Sequence, residues 1–200
     1  MSRWEPDARM RLVRAAVELC SDQGYDATTV AQIAQRAGLA KATFFRHFPD
    51  KREVLFAGQE EHSALLAAGI GAAPPEASPL EAVTAGLDTL AASFTAEQRA
   101  FGPRLRAAVA SSTELQEREA LKSLRLATAM TGALVARGVP GTVAHLAGEL
   151  GALAVKRGYA AWSAEDVVGD HDGDHDGDPG LAHHLRAALD ELRAASASLA

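Results

Sequence analysis

The sequence has a single cysteine, few aromatic residues and no long apolar segment. Because Cys20 has no second cysteine to pair with, a disulfide within the chain is impossible, and we expect a buried, small apolar side chain at this position. No apolar run approaches the ~20 residues that a membrane-spanning helix needs, and the N-terminus lacks a signal-peptide pattern. These absences predict a soluble, cytoplasmic protein.

An overall positive charge is absent as well, since the formal net charge is −6. The charges are unevenly distributed, however. Residues 1–56 carry nine lysines and arginines against seven acidic residues, whereas residues 57–200 carry eleven against nineteen. A surface that binds nucleic acid is therefore expected only in the N-terminal part, because such a footprint can be local.

Aromatic residues make up 5% of the chain, and five of the ten lie between Tyr25 and Phe56. A helical unit of this size needs bulky residues to fill its centre. We therefore expect four of the five to be core residues, namely Tyr25, Phe44, Phe48 and Phe56. Phe45 is the exception, because it falls on a different face of its helix from Phe44 and Phe48.

Residues 28–53, TTVAQIAQRAGLAKATFFRHFPDKRE, have the pattern of two short helices joined by a tight turn. Thr29 and Gln32 can form a capping box at the start of the first helix, since each side chain can bond to the other residue's backbone N–H. Gly38 supplies the positive φ that ends this helix and allows the turn. The second helix is predicted from Lys41 to Phe48, and its Lys, Thr, Arg and His side chains suit the major groove of DNA.

Pro49 ends the second helix, and Asp50 with Glu53 forms another capping pair, so a third helix is predicted to begin near Lys51. The N-terminus of that helix and the charges of Lys51 and Arg52 could hold a phosphate. The pattern thus predicts a helix-turn-helix DNA-binding domain.

The stretch GYDATTVAQIAQRAGLAKATFFRHFPDKREVL, residues 24–55, resembles the N-terminal domain of the TetR family of bacterial one-component transcription regulators. Nearly every position matches the family's run, including I-A-x-x-A-G before the turn and H-F-x-D-K after it. One position departs from it: Ala40 stands where the family usually has a capping Ser. The missing side-chain cap is expected to cost about 1 kcal/mol of helix stability.

The resemblance implies DNA contacts at nine positions. Thr28 and Thr29 correspond to positions that contact the DNA backbone. They stand at the start of the helix before the turn, which is the second helix of the family's domain. Positions facing base edges or the groove wall are Lys41, Ala42, Thr43, Phe45 and Arg46. His47 and Lys51 match phosphate-contacting positions.

The rest of the chain is rich in Ala, Leu, Glu and Arg, without the alternation of strands. We predict an all-α fold of about nine helices, with a DNA-binding domain at 1–56 and a helical ligand-binding and dimerisation domain at 57–200. One helix is predicted over 51–68, with a loop at 69–79. In the family, the last two long helices pair with those of a second subunit, and the apolar stripes here permit either that pairing or coverage of their own core.

Residues 170–178, DHDGDHDGD, contain the first half of a calcium-loop pattern. Position twelve of that loop should be a bidentate Glu, but it falls on His183, so the pattern fails. We interpret the tract as a solvated connection between the last two helices. Adventitious binding of zinc or nickel by His171, His175, His183 and His184 is the alternative, and no metal or cofactor is expected.

The leading hypothesis is a homodimeric repressor that a small apolar ligand releases from a palindromic operator. A constitutive or architectural DNA-binding dimer without ligand response is the alternative. No catalytic arrangement of Ser, His, Asp, Cys or paired carboxylates stands out, so an enzyme is not expected. The ligand and its contacts cannot be assigned from the residues.

Overall fold

The computed structural model describes residues 8–164 and 180–199, and within these ranges the helices are joined by turns and loops without any strand, as predicted. The helices are α1 (Ala8–Gln23), α2 (Val30–Arg36), α3 (Lys41–His47), α4 (Lys51–Leu55), α5 (Gln59–Ala72), α6 (Pro79–Ala91), α7 (Ala96–Ala110), α8 (Thr113–Ala136), α9 (Gly141–Ala164) and α10 (Leu181–Ala197). None of them is long and apolar enough to cross a membrane.

The described residues form ten helices rather than about nine, because the helix predicted over 51–68 is two helices. The break lies at Gly58, whose φ of 88° is incompatible with a continuous α-helix. After the break, α5 continues to Ala72, so the loop predicted at 69–79 begins four residues later than expected. The sequence did not predict this break, because a single glycine inside an apolar segment is also compatible with a continuous helix.

Helix α6 begins with a second complete capping box, which sequence inspection missed. The Ser78 hydroxyl accepts from the backbone N–H of Glu81, the Glu81 carboxylate accepts from the N–H of Ser78, and Pro79 occupies the first turn. Helix α9 begins at Gly141, directly after Pro140. Pro103 stands inside α7, where a missing N–H interrupts the helical ladder.

The chain divides into two compact units. The first unit comprises residues 1–58 and 103–120, and the second comprises residues 59–102 and 121–200. The first unit therefore includes the end of α7 and the start of α8 in addition to the N-terminal helices. The domain division at residue 56 stays a prediction, since compact units within a chain need not fold independently.

In the first unit, helices α1 to α4 enclose a core of large side chains. Leu12, Ile33, Phe44 and Val54 have no exposed surface, and Leu115 at the start of α8 is equally buried. The Phe44 ring lies 5.6 Å from the ring of Phe48. The four aromatic residues predicted for the core are all buried, and Cys20 is buried at 2% exposure.

In the second unit, helices α5, α6, α9 and α10 pack closely through small residues. A Cβ at Gly158 would lie 2.8 Å from the carbonyl oxygen of His184 and from the Cα of Leu185, so this glycine permits the close approach of α9 and α10. Four leucines of α10 face this core and are buried: Leu181, Leu185, Leu189 and Leu192.

Candidate nucleic-acid interface

The start of α2 is fixed by the predicted capping box. The Thr29 hydroxyl accepts from the N–H of Gln32, and the Gln32 side chain accepts from the N–H of Thr29 at 2.8 Å. Thr29 itself is exposed. Its neighbour Thr28 is only 1% exposed, and its hydroxyl donates to the carbonyl oxygen of Gly24 at 2.8 Å. The structure thus gives the Thr28 side chain a supporting position inside the loop, not one that faces solvent.

The turn between α2 and α3 has the predicted conformation. Gly38 has a φ of 67°, and its N–H bonds to the carbonyl oxygen of Gln35 at 3.0 Å. Arg11 of α1 donates to the carbonyl oxygen of Ala37, and a Cβ at Gly38 would lie 2.8 Å from the Arg11 guanidinium. Glycine is required here both by the positive φ and by the arginine that caps the end of α2.

Helix α3 buries one side and exposes the other. Phe44 is completely buried, whereas Phe45 is 51% exposed. The other candidate contact residues of this helix are exposed or half-buried: Lys41, Ala42, Thr43, Arg46 and His47. Polar and cationic groups therefore cover the outer face of a helix whose inner face is anchored by an aromatic side chain.

The exposed side chains of α3 interact with one another. The Lys41 ammonium lies 5.9 Å from the centroid of the Phe45 ring, and the Arg46 guanidinium is 3.4 Å from the Thr43 hydroxyl. Ala40 precedes the helix in extended conformation and provides no side-chain cap, as its sequence predicts. The amide N–H groups of the first turn of α3 therefore have no partner from the Ala40 side chain.

Lys51 is positioned differently from the solvent-facing cations of α3. Its ammonium donates to the carbonyl oxygens of Tyr25 at 2.7 Å and Thr28 at 3.0 Å, and it lies 3.8 Å from the centroid of the Tyr25 ring. The side chain thereby ties the start of α4 to the loop before α2. The Lys51 ammonium remains charged, but its N–H groups donate to carbonyl oxygens of the protein.

Asp50 caps α4 by accepting from the N–H groups of Arg52 and Glu53. Burial opposes ionisation of the Asp50 carboxyl group, but the hydrogen bonds from the Arg52 side chain and from the two backbone N–H groups outweigh it and lower its pKa. Glu53, expected to complete a capping box, instead accepts from Arg118 at 2.7 and 2.8 Å. The predicted capping pair therefore forms on one side only, because a tertiary partner takes the Glu53 carboxylate.

The first turns of α8 supply contacts that the sequence did not reveal. Glu114 accepts from the Tyr25 hydroxyl at 3.3 Å and pairs with Arg52 at 3.2 Å. Burial and the nearby Glu114 carboxylate raise the pKa of the Tyr25 hydroxyl. Glu114 and Arg118 lie four residues apart, so they share one face of α8. This face contacts Arg52 and Glu53 of α4 and the hydroxyl of Tyr25. Their only sequence signal is this spacing, which many exposed helices share.

Other candidate sites have no comparable support. The Asp/His tract at 170–178 lies outside the described residues. Within the part of the chain that is described, no three His, Cys, Asp or Glu side chains are grouped to hold a metal ion. Burial raises the pKa of the Cys20 thiol, although a hydrogen bond with Thr28 opposes this effect.

The geometry of α2, Gly38 and α3 is that of a helix-turn-helix domain, and comparison with known proteins agrees. The family described as bacterial regulatory proteins, tetR family, matches residues 12–57. The regulator TcmR of Streptomyces glaucescens is 38% identical over 76 residues, which cover 38% of this chain and 34% of TcmR. The chain thus matches about a third of the length of its curated relatives.

Solved structures resemble the chain over most of its length. FadR of Thermus thermophilus, a TetR-family repressor solved with lauroyl-CoA, aligns with a TM-score of 0.52 at 23% identity, covering 92% of this chain and 93% of that one. SmeT, solved with triclosan, gives 0.54 at 21% identity, with coverage of 94% and 90%. The N-terminal part of the chain is therefore similar to bacterial regulators of the tetR family, and its helices have the fold of these solved structures.

Proposed function

We propose that the protein is a homodimeric transcription regulator that binds a near-palindromic operator and represses transcription until a small molecule releases it. The observation that supports DNA binding most directly is the outer face of α3, where Lys41, Thr43 and Arg46 stand on a helix anchored by buried Phe44. Such a protein acts where the DNA is, in the cytoplasm, and no catalytic role is needed.

The exposed residues of α3 are proposed to read DNA. Arg46 and Lys41 can bond to base edges or phosphates, Thr43 can reach bases, and Phe45 can contact a thymine methyl group. The remaining proposed contacts are Thr29, Ala42 and His47. Thr28 and Lys51 are assigned mainly supporting roles, because the Thr28 hydroxyl and the Lys51 ammonium bond to carbonyl oxygens of the loop before α2.

Dimerisation is proposed through the last two helices, with unequal contributions. On α9, Val143, Leu146 and Leu153 are 46%, 60% and 43% exposed and recur at helical spacing on one face. The leucines of α10 are already buried in their own subunit, so α10 would contribute its polar outer face. An apolar centre with a polar rim is the usual anatomy of such an interface.

The proposed ligand response is supported by the fold. FadR was solved with lauroyl-CoA and SmeT with triclosan, so proteins of this fold hold small molecules that have a large apolar part. Release would follow if the ligand favoured a dimer whose two recognition helices no longer match successive grooves. A constitutive DNA-binding dimer is the alternative.

Selection of bound sequences from random duplex DNA tests the proposal. We expect a two-fold symmetric site with half-sites about one helical turn apart. Arg46→Ala should change the selected bases. Lys51→Ala should weaken binding to all sequences alike, because it removes the tie between α4 and the loop before α2. Failure to enrich any sequence would refute specific DNA binding, and enrichment of an asymmetric site would refute the symmetric dimer.

Sedimentation of two matched variants tests the dimer interface. Leu146→Glu places a charge on the exposed face of α9 and should shift the protein to monomer. Leu124→Glu replaces an equally exposed leucine of α8, at 57% against 60%, and should leave the dimer intact. A dimer that survives Leu146→Glu, or that Leu124→Glu dissociates, would contradict the assignment.

A further inference from the structure

The outer face of α3 carries cationic and apolar groups but few hydrogen-bond acceptors. Its exposed side chains are Lys41, Ala42, Phe45, Arg46 and His47. The helix, KATFFRH, contains no Asp, Glu, Asn or Gln, which are the residues that hold the amino groups of cytosine and adenine in the major groove. The half-buried Thr43 hydroxyl already accepts from Arg46 at 3.4 Å. This face therefore suits guanine and thymine, whose major-groove edges offer only acceptors and, in thymine, a methyl group.

Lys41 and Phe45 form a pair on this face, because they stand one helical turn apart. The Lys41 ammonium lies 5.9 Å from the centroid of the Phe45 ring, within the range of a cation–π interaction. Within the described part of the chain, no hydrogen bond or ion pair engages this ammonium. Its N–H donors are therefore available to DNA directly beside an apolar ring.

The Phe45 ring is supported from the inner side of the helix. Its centroid lies 5.5 Å from that of the Phe44 ring, and the two ring planes are inclined by 80°. Such edge-to-face contacts between aromatic rings are favourable, and Phe44 itself is completely buried. Phe45 is thus held by a fixed neighbour although it is 51% exposed, so little side-chain freedom is lost when the ring meets a base.

We propose that Lys41 and Phe45 together read one thymine in each half-site of the operator. The Phe45 ring contacts the 5-methyl group, and the Lys41 ammonium donates to O4 of the same base. Thymine alone among the four bases combines a methyl group with an acceptor on its major-groove edge, so two independent groups select it. This inference rests on the proposed function, because it requires α3 to lie in the major groove.

Deoxyuridine lacks only the methyl group of thymidine and therefore tests the Phe45 contact. Each thymine of the selected operator is replaced in turn, in both half-sites, and the affinity is measured by fluorescence anisotropy. At one position the wild type should lose about fourfold in affinity per half-site, as expected for one buried methyl group. Phe45→Ala should bind both operators with nearly equal affinity. Absence of a sensitive thymine, or an unchanged loss in Phe45→Ala, would overturn the proposal.

Ala42 provides the matched control, because it is the other exposed apolar side chain of α3. Ala42→Gly should keep the deoxyuridine effect. The measured quantity is the ratio of the two operator affinities within one variant, so a uniform loss of binding or of helix stability cancels. A ratio that Ala42→Gly removes and Phe45→Ala keeps would assign the methyl contact to Ala42 and refute the proposal.

A pair of 5-methylcytosine with guanine tests the Lys41 contact, because it keeps the methyl group but replaces O4 by an amino group. At the sensitive position this pair should weaken wild-type binding about tenfold per half-site, since the ammonium then faces a donor. Lys41→Met should show a several-fold smaller ratio and keep the deoxyuridine effect. If Lys41→Met retains the full ratio, the ammonium does not read O4 and the paired readout is wrong.

The selection of the operator separates this inference from the proposed function. An enriched operator without a deoxyuridine-sensitive thymine would refute the thymine contact and leave the DNA-binding regulator intact. Failure to enrich any operator would refute both.

Discussion

The two compact units expose opposite kinds of surface over differently built cores. The first unit packs Phe44, Phe48 and Tyr25 in its interior and presents cations and the Thr43 hydroxyl on α3. The second unit packs helices through glycines and alanines and leaves leucines exposed on α9. A polar face on a rigid aromatic core suits a groove of DNA, whereas an apolar face on closely packed helices suits another protein surface.

The two units also differ in how their interiors are packed. In the first unit, bulky rings fill the centre, so removing one leaves a cavity. In the second unit, several helices approach so closely that adding one methyl group creates overlap. The substitutions below test each kind of fit, from the largest expected effect to the smallest.

The neighbouring residues Phe44 and Phe45 give the largest contrast. Phe44→Ala should destabilise the protein by about 3–5 kcal/mol, because a buried ring is lost from the core. Phe45→Ala should change stability by less than about 0.5 kcal/mol, since the ring is half exposed, yet weaken DNA binding. Urea unfolding and operator titration measure the two effects. A Phe45→Ala protein as unstable as Phe44→Ala would contradict the assignment of the two faces.

Two helical glycines of the second unit form the next pair. Gly158→Ala should cost about 1–3 kcal/mol, because the new methyl group would meet the α10 backbone. Gly132 in α8 has no atom within 4 Å of an added Cβ. Gly132→Ala should therefore stabilise the protein by up to about 1 kcal/mol through helix propensity. Thermal unfolding of both variants would show opposite shifts, and shifts of equal sign would refute the proposed close approach.

The pair between Glu53 and Arg118 tests whether the start of α8 supports the DNA-binding helices. The Arg118 side chain is 11% exposed and that of Glu53 is 31% exposed, so solvent screens this pair only partly. A double-mutant cycle with Glu53→Gln and Arg118→Met should give a coupling of about 0.5–3 kcal/mol. Operator affinity should fall in both single variants. Additive effects on stability would show that the pair does not interact in solution.

Adding a side-chain cap at the start of α3 should have a smaller effect, and it should raise the stability of the protein instead of lowering it. Ala40→Ser should stabilise the protein by about 0.5–1 kcal/mol, because the serine hydroxyl can accept from an N–H of the first turn. Thr29→Ala at the capped start of α2 should cost about 1 kcal/mol. Chemical denaturation measures both changes. Loss of stability in Ala40→Ser would indicate that Ala40 is required for packing.

The smallest expected effect concerns acid stability. Because the pKa of Asp50 is lowered in the folded state, its contribution is present above the unfolded pKa of about 3.9 and is lost as the pH falls through the folded value. Asp50→Asn keeps an oxygen acceptor for the cap but does not titrate. Its unfolding free energy should depend less on pH below about 4 than that of the wild type. Identical pH profiles would contradict the lowered pKa.

Local chemistry made much of the first unit predictable. Capping by Thr29 and Gln32, the positive φ at Gly38 and the opposite faces of Phe44 and Phe45 depend on residues within one or two helical turns. Such features are set by short-range sterics and hydrogen bonds, so the sequence determined the helix-turn-helix.

The tertiary structure decided what depends on distant residues. Glu53 bonds to Arg118 instead of capping its own helix, and Lys51 holds the loop before α2. The leucines of α10 are buried, whereas Leu146 and Leu153 of α9 are exposed. These outcomes depend on which helices meet, and an apolar stripe or a charge at helical spacing is compatible with several partners. Long-range packing therefore determined the supporting residues and the exposed face of α9.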